Sequence, residues 1–127
     1  MSQLTANFRL AEFASRGHIP TDPVVLANIA KLAQNLQVLR DALGAPITII
    51  SGWRSQAHND AVDGAKKSQH LSGLAADFIV QGKTPAEVFA VASRLQREGK
   101  IDKGGLHAYS GSYPFCHYDC RGVNARW

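Results

Sequence analysis

The chain has 127 residues, of which 45% are hydrophobic and 19% charged, the composition of one globular domain with no length left for a second. Its net charge is +4, which favours anionic partners such as a cell-wall polymer, a lipid surface or nucleic acid. No Lys/Arg run exceeds the pair Lys66-Lys67, so the basic stripe of a nucleic-acid binder is missing and nucleic acid is not expected as a partner. No segment approaches the ~20 apolar residues of a membrane span, and Met1 to Leu10 lack the basic and apolar regions of a signal peptide.

Phe8, Leu10 and Phe13 predict an N-terminal arm that packs on the core, followed by a loop at Arg16-Gly17-His18-Ile19-Pro20. Thr21 or Asp22 can cap a helix with Pro23 in its first turn. Val25, Ile29, Leu32, Leu36 and Leu39 then recur at helical spacing, and Gly44 ends the run, so a scaffold helix is predicted over 22–43. Pro46 to Ile50 is a short β-branched strand. Arg54 to about Val62 reads as a short helix, Asp63-Gly64 as a turn, and Ala65 to Ser72 as a polar loop. A buried strand is predicted over Leu74 to Val80. Thr84-Pro85-Ala86-Glu87 is a capping-box signature that opens a helix running to about Glu98. A strand beginning at Gly104-Gly105 and another from Tyr113 to Cys120, joined by Ser110-Gly111-Ser112, predict a hairpin. The expected architecture is α+β, a small, mainly antiparallel sheet with helices to one side.

Cys116 and Cys120 are four apart in the last predicted strand. Four strand steps span roughly 13 Å, beyond the ~7 Å between Cα atoms that a disulfide tolerates. Two free thiols are expected, which suits a reducing compartment or synthesis in the cytosol. As metal ligands, C-x-x-x-C on a strand would be a poor chelate.

Three residues carry candidate chemistry: His70 in a loop, Asp77 in the strand that follows, and His117 on the last strand. Two imidazoles and a carboxylate make a three-ligand catalytic zinc site with one open position. The spacing is not the helical H-E-x-x-H pattern, so strands and loops must hold the metal. The alternative is an exposed loop histidine and a solvent-facing Asp77. Against it, Asp77 interrupts the apolar run Leu74-Ala75-Ala76-Asp77-Phe78-Ile79-Val80, and a lone charge there is costly unless paired or metal-bound. His18 and His58 have no motif around them and read as surface residues.

Ser51-Gly52-Trp53-Arg54-Ser55, then Ser68-Gln69-His70-Leu71-Ser72-Gly73-Leu74-Ala75-Ala76-Asp77, then Phe115-Cys116-His117-Tyr118-Asp119 occur in this order. Together they resemble the zinc D-alanyl-D-alanine carboxypeptidase and endopeptidase family, the LAS-type metallopeptidases, which share a metal site with the hedgehog signalling domain. The resemblance covers about residues 8 to 127, and Gly104-Gly105, Tyr109 and Trp127 also fit it. It implies a hedgehog/DD-peptidase-like fold over the whole chain, with Zn2+ on His70, Asp77 and His117. Arg54 corresponds to the family arginine near the substrate carbonyl or carboxylate, or else is a structural arginine. Ser68 supports its loop or touches substrate.

The resemblance also exposes a departure. Similar proteins carry a histidine, glutamate or aspartate two or three residues before the last ligand, where this chain has Phe115 and Pro114. Residues two apart on a strand share a face, so Asp119 points with His117. It either activates a zinc-bound water as general base or orients the ligand. His107, on the paired strand, is the other candidate base. The implied function is hydrolysis of D-alanyl bonds in the stem peptides or crosslinks of peptidoglycan, by a protein expected to be a monomer. Such stand-alone domains resemble bacteriophage endolysins and tail-associated wall hydrolases. That implies synthesis in the cytoplasm, delivery by a holin or a virion, and action on the periplasmic or extracellular wall. The rival is a non-catalytic zinc-containing wall-binding or tail module of the same fold.

Overall fold

The computed structural model describes residues 3–66 and 68–127; Lys67, half of the dibasic pair and part of the expected polar loop, lies outside them. A 3-10 turn at Leu10–Phe13 precedes α1 (Pro23–Leu43), β1 (Ile47–Ser51), α2 (Gln56–Ala61), α3 (Gln69–Ser72), β2 (Ala75–Val80), α4 (Pro85–Arg97), β3 (Leu106–Tyr109) and β4 (Phe115–Asp119). The architecture is α+β, as the hydrophobic periodicities predict.

Local chemistry sets the helix ends. The Asp22 side chain accepts the Val24 N–H at 2.8 Å, Pro23 occupies the first turn, and Gly44 closes α1 in the left-handed region with φ 64°. In α4 the reciprocal pair forms: Thr84 Oγ1 accepts the Glu87 N–H at 3.2 Å and Glu87 Oε1 accepts the Thr84 N–H at 3.2 Å. Each cap contributes about 1 kcal/mol.

The sheet is antiparallel throughout, in the order β1-β2-β4-β3. Its two faces differ sharply. Ala76, Phe78, Val80, Leu106, Cys116 and Tyr118 are buried on the core side, against the apolar faces of α1 (Ile29, Leu32, Leu36, Leu39) and α4 (Val88, Ala92, Leu95). Phe8 and Phe13 are fully buried and join this core. Each such side chain contributes roughly 1.5–3 kcal/mol, enough to fasten the N-terminal arm.

The structure corrects several boundaries. The expected polar loop over Ala65 to Ser72 ends in the helical turn α3, so His70 lies on a helix. Ser68 caps it by accepting the His70 N–H at 3.2 Å, and Gly73 closes it with φ 82°, a conformation that glycine adopts without strain. β3 starts at Leu106 rather than Gly104, and β4 ends at Asp119, one residue before Cys120. His58 is not a free surface residue: its Nδ1 lies 2.7 Å from Ser15 Oγ, and Ser15 is buried.

Cys116 and Cys120 are free and buried, and they face different neighbours, the Pro85 carbonyl at 3.4 Å and the Leu74 carbonyl at 3.5 Å. Burial pushes both thiols up to about 12, so near neutral pH neither is the reactive thiolate. Thiol titration in denaturant without reductant is therefore expected to find two groups per chain, and the same titration of folded protein essentially none. Two fast-reacting thiols in the folded protein would contradict their burial.

Candidate metal centre

The sheet face opposite the core is polar at one point. Asp77 on β2 and His117 on β4 are cross-strand partners, so both side chains leave the sheet on that face. His70 arrives from α3, which is tied to the segment after β1 by the Arg54 N–H donating to the His70 carbonyl at 2.9 Å. His70 Nε2 lies 3.3 Å from Asp77 Oδ2, and His117 Nδ1 lies 3.0 Å from Asp77 Oδ1. One ligating atom from each residue falls within 4.8 Å of the other two. The chain thus brings together the three residues singled out by sequence.

The other ring nitrogens decide what these atoms can do. His70 Nδ1 sits 2.7 Å from the Gly52 carbonyl oxygen. A carbonyl only accepts, so Nδ1 carries the hydrogen and Nε2 turns its lone pair toward Asp77. His117 Nε2 sits 2.7 Å from Asp119 Oδ2, which assigns that hydrogen to Nε2 and frees the Nδ1 lone pair. Two lone pairs then face one carboxylate, an arrangement that repels unless protons or a cation lie between them. Burial alone would raise the Asp77 carboxyl, but His117 and His70, once protonated, donate hydrogen bonds that outweigh it and hold it well below the usual carboxylate range. Burial likewise opposes charge on His117, yet its bonds to Asp119 and Asp77 move it upward. The site therefore stabilises positive charge at its centre. The two imidazole nitrogens approach different oxygens of Asp77, at 3.0 and 3.3 Å, and one ligating atom from each of the three residues lies within 4.8 Å of the others, a grouping that could hold one metal ion. Two imidazoles and a carboxylate suit a divalent ion of intermediate softness such as zinc, and the donor set fits one.

Asp119 lies behind His117, fully buried. Its Oδ1 accepts from Gly105 N at 2.9 Å, Arg121 N at 3.2 Å and Arg121 Nε at 2.8 Å. Oδ2 accepts from Arg121 Nη2 at 2.7 Å as well as from His117. Burial would raise this carboxyl too, but the Arg121, His117 and Gly105 bonds keep it below its ordinary range. Arg121 is a residue that sequence reasoning missed, because a pairing two residues along the chain leaves no periodic signal. The Gly104-Gly105 pair has its physical reason here: a Cβ on Gly105 would overlap Asp119 Oδ2, and one on Gly104 would overlap the Asp119 carbonyl.

An open cleft of about 490 Å³ is lined by His70, Asp77 and His117. Arg54 and Ser68 line one side of it; Tyr109, Phe115 and Trp127 line another. Arg54 Nη2 donates to Asp77 Oδ2 at 3.3 Å and Nε to Ser51 Oγ at 3.2 Å, so the guanidinium is held beside the ligands. His107 does not line the cleft. The Trp127 ring stacks on it at 5.3 Å and 2° and meets His117 edge-on at 5.0 Å. Trp127 is fixed by its Nε1–H donating to Tyr109 Oη at 2.8 Å. Among the described residues lining the cleft, Asp77 is the one carboxylate.

Gly105→Ala is expected to push Asp119 off His117 and loosen the metal site from behind. Divalent-ion affinity, measured by competition with a chromophoric chelator, should fall about 10–100-fold, the usual cost of losing such support. Unchanged affinity would mean that Asp119 does not hold the ring.

A family model described as Peptidase M15 matches residues 6–119, which include the three candidate ligands, Asp119 and Arg54. No curated protein matches the chain. The match covers nearly the whole domain and agrees with the zinc D-alanyl-D-alanine carboxypeptidase resemblance in the motifs. The chain belongs to the Peptidase M15 family.

Proposed function

We propose that this protein is a zinc peptidase that hydrolyses D-alanyl peptide bonds in the stem peptides or crosslinks of peptidoglycan. The observation that carries the reading is the His70–Asp77–His117 cluster at the floor of an open cleft in a member of a peptidase family. His70, Asp77 and His117 would hold the zinc, which would supply a Lewis acid for the scissile carbonyl and a means of activating water near neutral pH.

The chain's own residues do the rest. The Gly52 carbonyl and Asp119 fix the two imidazoles, so no ligand reorganises during the reaction. Arg54 keeps N–H groups beyond those given to Asp77 and Ser51, and these bind the substrate carbonyl or carboxylate. Ser68, whose hydroxyl caps α3, holds His70 at the cleft edge. Asp119 is a positioning residue in this proposal, since both its oxygens are occupied and none reaches the cleft. His107, covered by Trp127, has no part in proton transfer. Action on the wall outside the cytoplasm accords with the net charge of +4, which favours anionic wall polymers; delivery by a holin or virion is part of the same proposal and rests on the resemblance to stand-alone endolysin domains alone. The rival reading, a non-catalytic wall-binding or tail module, is favoured by the lack of a second carboxylate among the described cleft residues.

Digestion of purified peptidoglycan, with products weighed by mass spectrometry, tests the proposal. Release of D-alanine, or opening of D-alanyl crosslinks, is expected from zinc-loaded protein and not from His117→Ala. Intact peptidoglycan bound without cleavage would favour the binding module. Asp119→Ala should lower zinc affinity about 10–100-fold, and His107→Ala should change neither zinc nor turnover. If Asp119→Ala instead kept its zinc and lost turnover by about 10²–10⁴-fold, Asp119 would be the base.

A further inference from the structure

The last residues of the chain stand between two clefts. The Leu106 N–H donates to the Ala125 carbonyl at 3.1 Å and the Ala125 N–H to the Gly104 carbonyl at 3.3 Å, which ties this segment to the start of β3. Trp127 lines the metal cleft. Its neighbour Arg126 lines a second cleft of about 480 Å³, formed with Ser93, Gln96 and Arg97 of α4 and with Lys103 and Asn124. That cleft holds three cations and no carboxylate. Among the described residues, Arg97, Lys103 and Arg126 form no ion pair. Asp102, next to Lys103 in the chain, is turned toward α1, where its Oδ2 meets Lys31 Nζ at 3.4 Å and Asn35 Nδ2 at 3.1 Å. Arg97 also suits the negative end of the α4 dipole, which accounts for that residue but not for Lys103 or Arg126. Arg126 is held by neutral acceptors alone: Nη1 donates to the Gly104 and Ala125 carbonyls, each at 3.0 Å, and Nη2 to Oε1 of the buried Gln96. A guanidinium has five N–H groups, so two remain on a cation whose position is already fixed and whose charge nothing offsets.

We infer that this basic cleft binds consecutive phosphates of a phosphodiester-linked, base-free polymer, and so anchors the protein to an anionic wall chain beside the metal cleft. The choice of a wall polymer rests on the wall-directed reading above; the anion preference of the cleft does not. Three cations in one concavity call for more than one negative charge, which successive phosphodiesters supply and a lone carboxylate does not. The free N–H groups of Arg126 suit paired phosphate oxygens, and Lys103 and Arg97 add charge at the rim. Nucleic acid is disfavoured because single strands bind by stacking bases on open aromatic faces. Phe89 is the one aromatic residue lining this cleft, and the Arg126 guanidinium lies over its ring at 5.7 Å. Because Arg126 and Trp127 are adjacent, a polymer held on the first stays next to the cleft lined by the second.

The test titrates the full chain with a short synthetic glycerol phosphate oligomer, with inorganic phosphate and with a single-stranded oligonucleotide of the same charge, followed by backbone amide NMR. The oligomer is expected to bind most tightly and to shift the amides of Ser93 and Asn124 but not that of Lys83, an exposed lysine outside this cleft. Arg126→Gln should weaken it at least about tenfold, the worth of a hydrogen bond to a charged group. Should Arg126→Gln disturb the fold, the double variant Arg97→Gln/Lys103→Gln, at two exposed positions, is expected to show a loss of similar size, while Lys83→Gln, which removes the same kind of charge elsewhere, leaves affinity unchanged. Equal weakening by Lys83→Gln and the double variant would show attraction by net charge alone and overturn the site. Inorganic phosphate binding as tightly as the oligomer would overturn the polymer as occupant, and tighter binding of the oligonucleotide would reassign the cleft to nucleic acid. Cleavage of a soluble D-alanyl peptide is expected to be the same for wild type and the double variant. Its absence in both, with oligomer binding intact, would overturn the peptidase reading and leave the anion site standing.

Discussion

Asp77 places a carboxylate in the middle of a central strand, between the buried Ala76 and Phe78. An uncompensated charge at such a position costs several kcal/mol; Arg54 offsets part of it, and two imidazoles surround the carboxylate ready to share a proton or a cation with it. His117 approaches from the paired strand, His70 from a helical turn above the sheet, and Arg54 from the segment after β1. Each of these partners is in turn held from behind, by Asp119, the Gly52 carbonyl and Ser51 respectively. A centre built this way is preorganised for one more positive charge, which is the requirement of a metal site that must keep one coordination position free.

The support is layered across the sheet. Asp119 fixes His117, Arg121 and the Gly105 N–H fix Asp119, and the close approach of Gly104-Gly105 leaves room for no side chain there. The 123–127 segment closes the layer: Leu106 N–H donates to the Ala125 carbonyl at 3.1 Å, which seats Trp127 over His107 and against His117. The aromatic wall of Trp127, Tyr109 and Phe115 thus shields the ligands on one side while Arg54 and Ser68 keep the other side polar.

The sequence made some of this legible and hid the rest for physical reasons. Hydrophobic spacing and caps gave α1 and α4 nearly to the residue, because those signals are local. The ligand set was legible because Asp77 contradicts its apolar neighbours and because the motifs resemble a known family. α3 was not legible: a single turn has no periodicity, and its cap, Ser68, looks like any loop serine. The role of Asp119 stayed open between base and support, since a shared strand face says which way a side chain points but not what covers it. Only the packing of Gly105 and Arg121 around it shows a carboxylate with no oxygen left for the cleft. His107 is a candidate by register, and the stacking of Trp127, twenty residues along, on its ring is a contact that register alone does not reveal.

The central claim is that one metal ion sits between fixed lone pairs of His70 Nε2 and His117 Nδ1 and the Asp77 carboxylate. Anomalous diffraction at the zinc edge from zinc-loaded crystals tests it most directly. The account predicts one zinc peak within bonding distance of those three groups, with Asp119 still on His117 Nε2. A peak on His117 Nε2 with Asp119 displaced, or zinc bound elsewhere in the chain, would contradict it.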